Sequence, residues 1–471
     1  MKHYLLSIIG VWFVANLASG QIFPVDTLQY KGLPNKRVNI VILSDGYTAG
    51  EMAKFSADAR KLTQELFRQR PFNNYRNYFN VFAIKVPSNQ SGASHPGNAT
   101  DVSEPAHPVS QVDNYFGSTF DFARIHRLLV ATRTSAITNV LATNFPLYDQ
   151  VFILVNSPYY GGSGGVHAVA STDVSSSEVA IHEIGHSFAF LADEYWAGEQ
   201  YARETFNMTT GTNPATVRWK NWHNTEMVGI FSHCCGGSSG QWRRPHENCK
   251  MRFLGNDFCA VCREALIERI HALSSPIDSF FPGNQEVISN QADTLHFELA
   301  LVKPEPNTLK VNWSVNGELF SAQHTERLSL PTERLQPGRN TLRARVEDTS
   351  SMVRVDNHGT LHYDVISWEL DKTLTHTRTI ETSTFSIELH AFPNPVSEQL
   401  QIRLRCDAPF DLQGALHDAQ GRTLRRLPTQ GFLAGTHSVY LLVNDLPEGI
   451  YFLNILVNNI SISTTIVKNN G

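Results

Sequence analysis

The hydrophobic period of this chain changes once, near Pro276, and that change limits the folds open to it. Across residues 38–262, short apolar runs alternate with segments of helical spacing. VNIVILSDG, NYFNVFAIKV and YDQVFILVNS read as buried strands, and GEMAKFSADARKLTQELF reads as an amphipathic helix. Such alternation predicts an α/β layer around a central sheet. Across residues 286–370 the pattern becomes short alternating runs such as LKVNWSVNGELF and NTLRARVED, split by Gly, Pro and Asn, which predicts a small Ig-like β-sandwich. The Thr/Ser-rich stretch LDKTLTHTRTIETSTFS then reads as a linker, and the remainder again as short strands with tight turns. The expected division is 1–20 leader, 21–280 α/β region, 281–371 β-sandwich, 372–388 linker and 389–471 second small β-sandwich.

With 471 residues the chain exceeds one ordinary core, in keeping with several domains. Its net charge of -5, with no Lys/Arg-rich run, argues against a nucleic-acid partner. The opening MKHYLLSIIGVWFVANLASG joins Lys2, an apolar run and small residues, the pattern of a cleaved signal peptide. It is too short for a membrane anchor, and no later segment reads as a span, so export through the periplasm is expected. In an exported chain cysteines are free to pair. Cys234, Cys235, Cys249, Cys259 and Cys262 crowd one region, so structural disulfides are favoured there over a redox or metal role for FCAVC, with Cys406 standing apart.

The stretch AIHEIGHSFAFLADEY carries the chemistry. Ser175 and Glu178 have capping-box spacing, so a helix should begin there. On it His182 and His186 fall one turn apart on one face, able to share a zinc ion, while Glu183 is set to act as general base toward a zinc-activated water. Gly185 leaves room for another element to press close. A catalytic zinc needs a third protein ligand. On a straight helix Asp193 would lie about 16 Å beyond His182, so the helix must bend before it, although Phe188 to Leu191 offer no glycine at which to turn. Asp193 is favoured as the ligand, with Glu194 second and Glu204, His223 or His233 in reserve. Tyr195 is a candidate partner for the oxyanion.

Other residues have two readings each. The glycines of YYGGSGG suit a strand edge where an extended substrate pairs, or a surface loop. Met251 suits a methionine floor beneath the zinc, or core filling. Asp45 suits a turn rather than a calcium site.

HEIGHSFAFLADEY resembles the signature of the IgA peptidase family of zinc metallopeptidases. LSDGYTAGEM, PFNNYRNYFNVFAIKVPSNQSG, VNSPYYGGSGG and NCKMRFLGNDFCAVCREAL resemble further blocks of that family in order, and DTSSMVRVDNH and ISWEL its trailing β-domain. The resemblance implies a zincin-like α/β fold and a zinc-dependent endopeptidase, with His182, His186 and an acidic third ligand, carried onto Asp193, holding Zn2+ and Glu183 as base. The family takes its name from an immunoglobulin-cleaving member, which does not fix the substrate here. AFPNPVSEQLQIRL, HDAQGR, LPEGIYFLNILV and IVKNN resemble the sorting domain of the bacterial type IX secretion pathway. That implies passage across the outer membrane by the type IX machinery, followed by release or surface attachment. The expected activity is hydrolysis of peptide bonds in extracellular protein or glycoprotein substrates, host proteins among them. The rival is a surface glycoprotein-binding protein with a structural or inactive zinc site.

Overall fold

A computed structural model describes residues 21–234, 236–289, 294–321, 325–356, 363–372, 376–381 and 385–469. The expected signal peptide and Cys235 lie outside them. The chain divides into two compact units. One holds the described residues of Met1–Asp278 with Leu301–Leu309 and Glu347–Tyr363; the other holds Ser279–Ala300, Lys310–Val346 and the described part of Asp364–Gly471.

The first unit is an α/β layer. Its strands are β1 (Val25–Gln29), β2 (Val38–Asp45), β3 (Phe79–Ile84), β4 (Gln150–Val155), β5 (Gly162–Ser163) and β6 (Ala168–Ala170), in spatial order β1-β3-β2-β4-β6-β5. The central strands run parallel, with Ile40 beside Val81 and Gln150, and Ile153 beside Val169. The two edge strands, β1 and β5, are antiparallel to their neighbours. Every residue of β2, β3 and β4 is buried, because helices cover both faces.

Alternation along β2 divides the core in two. Val38, Ile40 and Ile42 join the cluster that takes in helices α1 (Met52–Leu66), α3 (Ser176–Ala189) and α4 (Ala260–Leu273). Val41 and Leu43 join a second cluster with Ile137, Val140 and Leu141 of α2 (Thr134–Asn144). On α1 the apolar stripe Phe55, Ala59, Leu62 and Leu66 has the spacing of one helical face. Asp45 ends β2 fully buried and holds a segment distant in sequence: its carboxylate accepts the Phe116 and Ser118 amide protons at 2.9 and 3.1 Å, so it anchors that segment rather than shaping its own turn.

Residues 347–356 belong with this unit for a polar reason. Asp348, 1% exposed, accepts bonds from Tyr75 Oη (2.6 Å), His271 Nε2 (2.9 Å) and Thr308 Oγ1 (2.6 Å). A buried carboxylate is tolerated only when it is satisfied in this way.

The second unit is built of strands. A three-stranded sheet and a five-stranded sheet bury Trp313 and Trp368, whose rings stack with centroids 5.8 Å apart. Two four-stranded sheets from residues 376–468 share a core in which inward residues alternate, as Leu400, Ile402 and Leu404 do. These are sandwich-like sheets. The Thr/Ser-rich segment is not a bare linker: His376–Glu381 pairs antiparallel with Ser386–Phe392, as its β-branched Thr and Ile residues favour.

Candidate metal centre

Helix α3 starts at Ser176, but not by the expected capping box: the Ser175 side chain makes no cap bond. Glu178 is drawn elsewhere. Its carboxylate pairs with Lys250 Nζ at 2.5 Å and accepts the Gly255 amide proton at 2.8 Å. The Lys250 side chain is completely buried, and a buried ammonium is costly without a carboxylate partner. That pair ties the 249–255 segment to α3.

Gly185 is where this segment presses closest. A Cβ there would stand 2.5 Å from Met251 Sδ, so any larger residue would displace the fully buried methionine. Met251 therefore fills core space against the helix that carries the histidines, and the next bond in the segment, Met251 O accepting Glu194 N–H at 2.7 Å, fixes the chain after the helix.

Helix α3 ends without a glycine. Phe190 itself adopts the left-handed conformation (φ 57°, ψ 30°), and Leu191 N–H turns back to Gly185 O at 3.0 Å. For a non-glycine residue that conformation costs about 1–2 kcal/mol. The Arg269 guanidinium lies 5.3 Å from the half-exposed Phe190 ring. Beyond the turn, Asn207 clamps the chain, accepting Ala192 N–H and donating to Ala192 O, both at 2.8 Å. The reversal brings Asp193 back over the helix.

There Asp193 Oδ1 lies 3.1 Å from His182 Nε2 and 3.2 Å from His186 Nε2, and the two Nε2 atoms are 3.2 Å apart. Each ring is oriented by its other nitrogen. His182 Nδ1 meets Lys250 O at 2.9 Å and His186 Nδ1 meets Leu191 O at 2.7 Å. Carbonyls only accept, so each Nδ1 carries the proton and each Nε2 faces the carboxylate. Burial works against a charged His186, but the Asp193 hydrogen bond and charge outweigh it and raise its pKa to about 9. Burial also opposes a charged Asp193, yet its two histidine bonds pull its carboxyl well below the usual range. Burial pushes Glu183 upward.

Around this triad, the Tyr195 ring lies roughly parallel to that of His182 with centroids 6.4 Å apart, and the Arg127 guanidinium is 5.8 Å from the Tyr195 ring centre. Gly164, just past edge strand β5, lies so close that a Cβ would stand 2.6 Å from Glu183 Oε2 and 2.8 Å from His186 Cβ. The outer side of β5 is itself taken by residues 127–129, through Gly162 N–H to Arg127 O and Ser163 Oγ to Leu129 O. The exposed backbone is therefore 164–166.

The reserve residues go elsewhere. Glu204 pairs with Arg218 at 2.9 Å, and His233 packs on Trp196 with ring centroids 6.3 Å apart. Among the described residues His223 joins no metal-ligating group. Glu194 is fully buried and gathers with Cys249, Cys259 and Cys262. The disulfides expected in this region are not formed among the described cysteines: Cys249 Sγ and Cys262 Sγ stand 3.7 Å apart, far beyond a bond of about 2.05 Å. A further group, His95, His107 and His126, lies in the loops between β3 and α2, with Asp121 3.4 Å from His95 Nδ1. Neither group was foreseen. The second has no local motif, whereas the first showed only as CxxC, a spacing shared with disulfide and redox motifs.

Residues 27–230 match the family model described as IgA Peptidase M64, and residues 390–469 match the Secretion system C-terminal sorting domain. No curated protein matches the chain. Among solved structures, dimeric latent PorU from Porphyromonas gingivalis is similar at 13% identity over 41% of this chain and 20% of that one, with a TM-score of 0.17. The apo structure of β-glucuronidase 3 from Bacteroides uniformis is similar at 12% identity over 90% of this chain and 54% of that one, with a TM-score of 0.15. The chain thus spans between about a fifth and about half of these proteins, at TM-scores too low to bear on fold or function. Residues 27–230, which include the histidine helix and its converging ligand groups, are thus similar to the IgA Peptidase M64 family, a match that supports a metalloenzyme function, and residues 390–469 are similar to a secretion-system sorting domain.

Proposed function

We propose that the chain is a secreted zinc-dependent endopeptidase that cuts extracellular protein or glycoprotein substrates, with a zincin-like catalytic region, an Ig-like β-sandwich after it and the sorting domain last. One observation carries the reading: His182 and His186, each with Nδ1 tied to a carbonyl, turn both Nε2 atoms toward Asp193 Oδ1. With each Nδ1 proton committed to a carbonyl, both Nε2 atoms and the Asp193 carboxylate can turn lone pairs to one cation. Their separations of 3.1–3.2 Å approach the edge of about 3.3 Å expected between nitrogen or oxygen donors on tetrahedral zinc. His182, His186 and Asp193 would hold the ion, and bound there it supplies Lewis acidity toward the scissile carbonyl and a lowered pKa for water.

The chain's own residues do the rest. Glu183, next to a ligand and not itself one, takes a proton from the attacking water and returns it to the leaving nitrogen. Tyr195 donates its hydroxyl to the oxygen on which charge develops, with Arg127 beside its ring. The bare backbone of 164–166 pairs with an extended peptide and lays the scissile bond across Glu183. Asn207 and the Met251 carbonyl hold the Asp193 loop against displacement by substrate.

The sorting-domain match supports export by the type IX machinery, and the proposal adds a cleaved signal peptide at residues 1–20 and release or surface attachment as its end. The test is to incubate the enzyme with serum and mucosal proteins and label new N-termini. Cuts made by the wild type and absent with Glu183→Gln or a chelator support the reading and report sequence preference. No cuts from a zinc-loaded wild type would turn it toward a surface-binding protein.

A further inference from the structure

We propose that Glu194, Cys249, Cys259 and Cys262 form a second metal site, a closed structural zinc centre that locks the Asp193 loop to the scaffold. Its positioning role rests on the endopeptidase reading; the site itself does not. The three cysteines lie beyond the residues matched by the peptidase family model.

The geometry is that of four ligands around one ion. All four ligand atoms lie within 4.8 Å of one another. Cys249 Sγ and Cys262 Sγ are 3.7 Å apart, against an edge of about 3.8 Å for two sulfurs on tetrahedral zinc. Glu194 Oε1 stands 3.1 Å from Cys262 Sγ and 3.8 Å from Cys259 Sγ, either side of the sulfur–oxygen edge of about 3.6 Å.

Burial points the same way. Glu194, Cys249 and Cys262 are 0% exposed and Cys259 is 5% exposed, which leaves no open position for water or substrate. Closed four-ligand sites are structural. Among the described residues Glu194 Oε2 has no hydrogen-bond partner, and Oε1 receives an N–H only from Asn207, at 3.2 Å. A carboxylate sunk among three thiols with a single amide is poorly satisfied unless a cation completes the set.

The start of α4 supplies a field that favours anionic sulfur once a cation offsets burial, which alone pushes the Cys249 and Cys262 thiols up. Cys259 is the N-cap of α4 and Cys262 lies in its first turn, at the positive end of the helix dipole. The Cys259 amide proton points to Cys249 Sγ at 3.3 Å, an N–H to sulfur bond of the kind that supports a metal-bound thiolate. Three sulfurs with one carboxylate select a thiophilic divalent ion such as zinc over calcium or magnesium.

The placement gives the site its work. Glu194 follows Asp193 directly. Cys249 precedes Lys250, whose carbonyl orients His182, and Met251, which packs under Gly185 and holds Glu194 N–H. A metal here ties together both chain segments that position the catalytic ligands.

The test is metal content of the purified full chain, its Cys262→Ser variant and its His182→Ala variant, each also loaded with cobalt(II). The wild type should hold one metal equivalent more than Cys262→Ser and show a sulfur-to-cobalt charge-transfer band that Cys262→Ser lacks. His182→Ala should lose a different equivalent and keep that band, which separates failure of this site from failure of the catalytic one and still reads it if Cys262→Ser does not fold. Absence of the band from wild type and His182→Ala would overturn the proposal. So would a Cys249–Cys262 disulfide found by mass, or equal metal in wild type and Cys262→Ser.

Discussion

The backbone carbonyl of Lys250 holds His182 Nδ1 at 2.9 Å, although 68 residues separate the two in sequence. Lys250 is in turn held by Glu178, one turn before that histidine on the same helix. The segment that orients the histidine is thus anchored to the histidine's own helix, and its rigidity bears directly on the site.

Gly185 and Met251 test that anchoring by packing. Gly185→Ala should destabilise the first unit by about 1–3 kcal/mol through overpacking, because the new methyl would meet Met251 Sδ. Met251→Ala should cost about 2–5 kcal/mol by leaving a cavity. The double variant should be more stable than the sum of the two losses implies. Denaturant unfolding of all three, read as a double-mutant cycle, checks this; strict additivity would show that the two residues do not share one space.

Phe190 offers a conformational test. Replacement by Gly removes left-handed strain but loosens the unfolded chain, so stability should move by less than about 1 kcal/mol and activity should persist. Val at the same place, β-branched with φ near 57°, should unseat Asp193 and lower zinc affinity by at least tenfold. Zinc titration of the two variants tells them apart.

Much of this was legible beforehand, and the reasons differ by element. The alternation of VNIVILSDG and its partners with helical runs gave the α/β sheet, and HExxH gave the histidine pair, because both are local periodic signals. The return of Asp193 was required by helix geometry, but the means was not visible: the turn is made by a phenylalanine, and packing around Arg269 and Asn207 overrides its backbone preference. The capping box failed because a buried lysine 72 residues away claimed Glu178. The cysteines misled for a related reason. Their number suggests pairing, while Glu194, which gathers with three of them, lies 55 residues upstream of Cys249 and in sequence reads as a ligand candidate for the other site.

Gly164 should prove intolerant for activity more than for folding. Its side lies against Glu183 Oε2 and the less yielding His186 Cβ, in exposed chain. Gly164→Ala should therefore cut kcat/KM by about tenfold or more with little change in unfolding midpoint, since small displacements of reacting groups cost that much. Steady-state kinetics beside a thermal melt distinguishes this from a general loss of fold.

Asp348 supplies a pH test away from the metal. Burial would raise its pKa, but bonds from His271, Thr308 and Tyr75 win and lower it to about 2. A depressed carboxylate stabilises the fold above its unfolded pKa of about 4, and that contribution is lost as pH falls from about 4 to about 2. Asp348→Asn should thus be less stable than wild type by about 2 kcal/mol near neutrality, with the gap closing over that acid window. Unfolding midpoints measured across it check the sign; a gap that widens in acid would contradict it.

The most direct measurement sets zinc content against cleavage in Glu183→Gln and His182→Ala beside the wild type, using one substrate protein for all three. The account predicts that Glu183→Gln keeps the catalytic zinc equivalent and loses cleavage by several orders of magnitude, whereas His182→Ala loses both. Glu183→Gln that cuts at the wild-type rate with zinc bound would contradict the assignment of Glu183 as the base and of this triad as the catalytic centre.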